Sequence, residues 1–278
     1  MITETDIALA DGRTLHVYDT GHARDTELTV YWHAGTPQIG QPPADALQRA
    51  GVRWIGHDRP SYGGSTALPG RTVASVADDV RQVVDALGVQ RFALLGSSGG
   101  GPPALACAAL LPERVLGVAC LAGIAPADAD GLDWFAGMAP SGVAELGAAL
   151  RGADVLGAHL AATRDDAPDW LSPKDIEMFT GPFGPWLIHT STQGMANGPD
   201  GFVGDDIATT RPWGFDPAQI EAPVLLCNGD EDRCVPLAHA EWLARRCPHS
   251  ELRPCPGDSH ISIFGHAGEA VDWLAKLG

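Results

Sequence analysis

The stretch RFALLGSSGGGPPALACAALL, residues 91–111, decides how the rest of the chain is read. Phe92 to Leu95 form a short apolar run suited to a buried strand, Gly96 to Gly101 a glycine-dense turn, and Ala104 to Leu111 an alanine- and leucine-rich stretch suited to a helix. Set in the turn is Gly96-Ser97-Ser98-Gly99-Gly100, a G-x-S-x-G. A residue on a sharp strand-to-helix turn holds strained backbone angles, and small neighbours two positions to either side let strand and helix approach. The Ser98 hydroxyl then stands above the sheet edge, at a helix N-terminus whose free N–H groups and dipole favour developing negative charge. With 34 glycines in 278 residues, such a string also arises by chance in roughly one sequence in five, so its context has to decide.

Outward from this stretch, strands and helices alternate. Residues 5–10 and 13–19 read as strands joined by Asp11-Gly12, a hairpin dipeptide, and Leu28–Trp32 and Val52–Ile55 as two more. Asp45–Ala50 can be helical, and apolar residues at 73, 76, 80, 83, 84 and 87 recur at helical spacing before Gly88. Strands at Val115–Leu121, Pro223–Cys227 and Ser250–Arg253 follow, with helices at Leu237–Arg246 and about Ala267–Leu277. Such alternation implies a mostly parallel eight-stranded sheet covered on both faces, with right-handed crossovers. The alternation breaks between residues 123 and 221, a stretch with helical pieces expected at 142–164 and 173–179 and with Trp134, Trp170, Trp186 and Trp213 scattered through it. A long insertion of short helices and aromatic residues suits a lid, because a pocket needs an apolar roof that sheds water. The expected organisation is one α/β core, 1–122 and 222–278, with a helical lid inserted at 123–221.

Composition bounds the function. A formal charge of -17 repels phosphate backbones and anionic lipid, so neither nucleic acid nor a membrane surface is an expected partner. The acidic N-terminal residues lack the basic and apolar regions of a signal peptide, and six cysteines without C-x-x-C spacing read as free thiols of a cytoplasmic protein, a Cys247–Cys255 bridge being the lesser alternative. No H-E-x-x-H or clustered Cys/His spacing suggests a metal, and no cofactor is expected.

A serine hydroxyl is a poor nucleophile until a base takes its proton, and that base needs a third group to hold its tautomer. The partners should lie on loops at the C-terminal edge of the sheet, where Ser98 stands. Asp232, in the loop after the strand at 223–227, meets this test, with Asp230 and Glu231 as neighbouring alternatives; His260, in the loop after 250–253, meets it too. His33 and His57 also end strands, where they line a pocket or bond a loop, and His266 starts the last helix at the surface or as a cap. Arg59 reads as a structural anchor for residues 58–65, paired with a carboxylate.

Four further motifs agree with G-S-S-G-G: G-T-P at 35–37, D-R-P-S-Y-G-G-S at 58–65, G-D-E-D-R-C-V-P at 229–236 and G-D-S-H at 257–260. On these the sequence resembles the α/β-hydrolase superfamily, in particular its lidded esterase-like and aminopeptidase-like members. The resemblance covers the two core segments and leaves the insertion unassigned. It implies Ser98 as nucleophile, His260 as general base, Asp232 as the orienting acid, and an oxyanion hole made by the backbone N–H groups of Thr36 and Gly99. Ala34 departs from the family's frequent H-G-x-P loop, which alters side-chain support and leaves backbone donors in place. A serine at 98 argues against dehalogenase and epoxide hydrolase chemistry, which uses a carboxylate nucleophile. The expected activity is hydrolysis of a small carboxylic ester through an acyl-enzyme. Aminopeptidase, C–C bond hydrolase, lactonase and ligand-binding protein are the alternatives, and Asp165, Asp166, Asp169, Asp175 and Glu177 are the lid carboxylates available to hold a substrate amine.

Overall fold

The apolar runs become a central sheet in the computed structural model, which describes residues 2–21, 28–43, 49–163 and 166–278. Its strands are β1 Thr3–Ala8, β2 Thr14–Asp19, β3 Leu28–His33, β4 Val52–His57, β5 Phe92–Ser97, β6 Val115–Leu121, β7 Val224–Gly229 and β8 Ser250–Cys255. They pair in the order β1-β2-β4-β3-β5-β6-β7-β8. β1 and β2 run antiparallel to their neighbours, and from β4 across to β8 every pairing is parallel. Every residue of β5 and β7 is buried, as a strand covered on both faces requires, whereas the edge strand β8 carries Glu251, Arg253 and Pro254 and stays half open.

Helices α1 Val76–Ala86, α2 Gly101–Leu110, α8 Leu237–Arg246 and α9 Ala267–Ala275 cover the sheet. On one face Val80, Val83 and Val84 of α1, Leu105 of α2 and Leu243 of α8 join the apolar side of the sheet. On the other, Trp32, Trp54 and Leu95 pack with Phe264 and with Val271 and Leu274 of α9. Between β6 and β7 lie α3 Pro140–Arg151, α4 Ala153–Thr163, α5 Pro173–Thr180, α6 Gly184–Met195 and α7 Asp200–Thr209.

The structure corrects the sequence reading in several places. β5 runs on through Gly96 and Ser97, paired with Cys120 and Leu121, so the turn begins at Ser98. α2 starts at Gly101 with two prolines in its first turn, where their missing N–H groups cost nothing. The helix expected over 142–164 is broken at Gly152, whose φ of 124° no helix accommodates. α6 and α7 were not foreseen. All six cysteines are free, Cys247 and Cys255 included. The helix expected at 45–50 lies largely outside the described residues. Among the described residues no helix is long and apolar enough to cross a membrane.

Candidate active site

The turn after β5 is built by steric necessity. A Cβ on Gly96 would stand 2.5 Å from the Gly100 carbonyl oxygen, and one on Gly100 would collide with the His33 carbonyl. Only with both absent can the end of β3, the end of β5 and the start of α2 meet. Ser98 itself has φ 51°, a left-handed conformation unusual for a residue with a side chain, and the surrounding contacts hold it there.

His260, in the loop after β8, places Nε2 2.9 Å from Ser98 Oγ. Its Nδ1 lies 2.8 Å from Asp232 Oδ2 in the loop after β7. The other oxygen of Asp232 accepts the backbone N–H groups of Cys234 and Val235, each at 2.8 Å, so the carboxylate is fixed before it meets the imidazole. Of its neighbours, Asp230 accepts the Gly257 N–H and ties the two loops together, and Glu231 is exposed. Both Asp232 and His260 are buried. Burial works against the His260 cation, but the touching Asp232 carboxylate outweighs it and, with Cys234, raises the imidazole pKa well above its usual 6.5.

The loop after β3 brings Thr36 against this turn: a Cβ on Gly99 would lie 3.3 Å from the Thr36 backbone nitrogen. That loop is secured from below and above. Arg59 donates to the carbonyls of Ala34 and Gly35 and, through Nε and Nη2, to both oxygens of Asp205 on α7. Asp205 further accepts Thr36 Oγ1 at 2.7 Å, Tyr62 Oη at 2.7 Å and Arg71 at 2.6 Å. Burial opposes the Asp205 charge, but the two guanidiniums override it and hold its pKa far below the usual carboxylate range. Arg59 is thus an anchor, and its carboxylate lies 146 positions away, a pairing no local pattern announces. From α6, Thr190 meets the Gln38 amide and its carbonyl accepts the Ile39 N–H.

Ser98, His260, Thr36 and Gly99 border a cavity of about 450 Å³ between sheet edge and insertion, walled by Ile124, Leu146, Trp170, Phe179 and Phe264 among others. The Trp170 ring stands edge-on to His260 at 5.4 Å. Two carboxyl groups also face the cavity, Glu145 of α3 and Asp206 of α7. Neither was singled out by the sequence. Of the carboxylates that were, Asp166, Asp169 and Glu177 are exposed and none of the three borders the cavity. Asp165 lies outside the described residues. Asp175 is fully buried, where it caps α5 and accepts the N–H groups of Ile261 and Ser262, each at 2.8 Å, steadying the His260 loop. His33 and His57 lie beneath the site rather than in the cavity. His33 approaches Cys107 and His57 bonds Tyr31, with burial and nearby Arg59 pushing the His57 pKa down to about 3. His266 bonds Asp258 at the start of α9.

Known proteins share this arrangement of elements. A family model described as the alpha/beta hydrolase fold matches residues 35–267. A 2-hydroxy-6-oxononadienedioate/2-hydroxy-6-oxononatrienedioate hydrolase of Klebsiella pneumoniae is 31% identical over 273 residues, covering 92% of this chain and 88% of that protein. The AB hydrolase superfamily protein YisY of Bacillus subtilis is 25% identical, with 95% of each chain covered. Among solved structures, the esterase RhEst1 of a Rhodococcus species superposes with a TM-score of 0.72 at 21% identity, over 100% of this chain and 99% of that one, a likeness of fold. Since the family model spans most of the sequence, the chain belongs to the α/β-hydrolase fold family.

Proposed function

We propose that the protein is a serine hydrolase that cleaves a small carboxylic ester through an acyl-enzyme on Ser98. The observation that carries this reading is the unbroken chain of hydrogen bonds from Ser98 Oγ through His260 to Asp232, opening on an apolar-walled cavity. In this reading His260 Nε2 takes the hydroxyl proton as Oγ bonds to the ester carbonyl carbon, and Asp232 stabilises the imidazolium. The carbonyl oxygen gains negative charge and accepts the backbone N–H groups of Thr36 and Gly99. His260 then gives the proton to the departing alkoxide as the C–O bond breaks. Water, deprotonated by the same nitrogen, attacks the acyl carbon and releases the acid, and Ser98 recovers its proton.

The Klebsiella relative is named for a dioate substrate. Among the described residues bordering the cavity here there is no Lys or Arg to meet a second carboxylate, which favours an ester of uncharged or cationic character. The test is labelling by an active-site-directed fluorophosphonate alongside turnover of p-nitrophenyl esters. Ser98→Ala is expected to abolish both; equal labelling of the variant would remove Ser98 from the nucleophile's role.

A further inference from the structure

The triad accounts for one side of the cavity and leaves the two carboxyl groups on the other without a task. Asp206 is 6% exposed and its carboxylate has no hydrogen-bond partner among the described residues: Oδ2 is closed off from solvent and cavity alike, which leaves Oδ1 as the oxygen open to a ligand in the cavity it borders. Glu145, across from it on α3, likewise has no bonded partner among them. Buried carboxyl groups are nearly always satisfied, and an unpartnered one that borders a ligand cavity points to a ligand that completes it. We propose that Glu145 and Asp206 form a subsite for a substrate ammonium group, so that the preferred substrate is an ester carrying a primary or secondary amine on its acyl side or alcohol side.

The chemistry of the lining discriminates between candidate occupants. A substrate carboxylate would meet two acids and, among the described lining residues, no Lys or Arg, and an alkyl group would leave the Asp206 carboxylate desolvated and unmatched. An ammonium supplies up to three N–H donors on one atom, enough to satisfy both carboxyl groups at once. The groups facing Asp206 explain why it holds its proton without such a ligand. Burial raises its pKa well above the usual value, the Glu145 and Asp205 charges raise it further, and Arg71, already committed to Asp205, only partly offsets them. Burial likewise moves Glu145 up to about 7. Docking of an ammonium therefore displaces protons from the pair.

The catalytic part of this inference rests on the Ser98 reading, and its binding part does not. Two experiments separate them. In the first, kcat/KM is measured for p-nitrophenyl esters of 4-aminobutyrate, 5-aminopentanoate and 6-aminohexanoate and for their N-acetyl counterparts. At least one chain length should favour the free amine about tenfold or more, and Asp206→Asn or Glu145→Gln should cut that ratio about ten- to hundredfold. In the second, hexylammonium and 1-hexanol are titrated calorimetrically into Ser98→Ala, which needs no turnover. The ammonium should bind more tightly, with a heat that varies with the buffer's ionisation enthalpy, and the added Asp206→Asn substitution should remove both features. Equal binding of amine and alcohol overturns the subsite whatever the esters do. Tight ammonium binding beside a protein inert to every ester would overturn the Ser98 reading and retain the subsite.

Discussion

At the scale of single residues, the chemistry depends on which protonation state His260 holds. It accepts a proton only when neutral, and contact with the Asp232 carboxylate, working against burial, raises its pKa well above 6.5. The pH profile of kcat/KM on a neutral ester should therefore rise toward alkaline pH with a midpoint above 6.5. Asp232→Asn removes the charge that favours the imidazolium and lets the wrong tautomer form. It should shift that midpoint down and lower kcat by on the order of 10³–10⁴ with KM little changed. A midpoint that stays in place would show that Asp232 does not set the His260 titration. Ser98 and His260 were legible because each stands at a strand end beside small residues whose function is geometric. Asp232 was legible as one of three adjacent acids, and the distinction comes from the two N–H groups its own loop turns back toward it. Glu145 and Asp206 were not: Glu145 lies in an expected helix, where a carboxylate reads as solvent-facing until the opposite helix is in place, and Asp206 lies on α7, which carried no helical signal of its own.

At the scale of elements, the core was legible and much of the insertion was not, for a reason visible in α6 and α7. Both carry glycines, and glycine in a sequence suggests a helix break because it sacrifices backbone entropy. Gly194 of α6 instead permits contact: a Cβ there would fall on the Pro37 carbonyl, in the loop that carries Thr36. Gly201 likewise lies flat against the Tyr62 ring, 2.8 Å from where its Cβ would be. These helices are held by what they touch across the chain rather than by their own propensity, so their signal is absent from any local window. Two glycine-to-alanine substitutions separate the effects. Gly157, in α4, has open space where its Cβ would go, so Gly157→Ala should stabilise the protein by up to about 1 kcal/mol. Gly194→Ala gains the same propensity but must push α6 off the loop. It should be net destabilising by about 1–3 kcal/mol and should lower kcat, because the displaced loop carries a proposed oxyanion donor. The check is the thermal midpoint of each variant beside its kcat; a stabilised Gly194→Ala would mean the helix-to-loop contact is loose.

At the scale of the whole molecule, 18 Lys and Arg against 35 Asp and Glu mean that not every carboxyl group can have a cationic partner, and a buried one without it is costly to ionise. Asp205 escapes this cost because two guanidiniums neutralise it. Asp206, next to it in sequence and on the cavity side of the same helix, does not. Linkage fixes the sign of its effect on stability. Asp206 and Glu145 hold their protons more tightly folded than unfolded, so the stability they contribute is complete at pH below their ordinary values of 3.8 and 4.5. It is lost as pH rises through the raised values, about 7 for Glu145. Asp206→Asn keeps the shape and removes the charge, together with the repulsion it exerts on Glu145. The variant should match the parent's thermal midpoint below pH 3.8 and exceed it by a growing margin as pH rises to 8, by about 2 °C for each kcal/mol recovered in a chain of this size. The two measurements belong together: a variant stabler at pH 8 and poorer at distinguishing ammonium from neutral esters ties the destabilising charge to its use. A midpoint difference that does not change between pH 5 and pH 8 would show that Asp206 takes up no proton on folding and is already ionised in the folded protein at both values, which would overturn the charge balance described for the cavity.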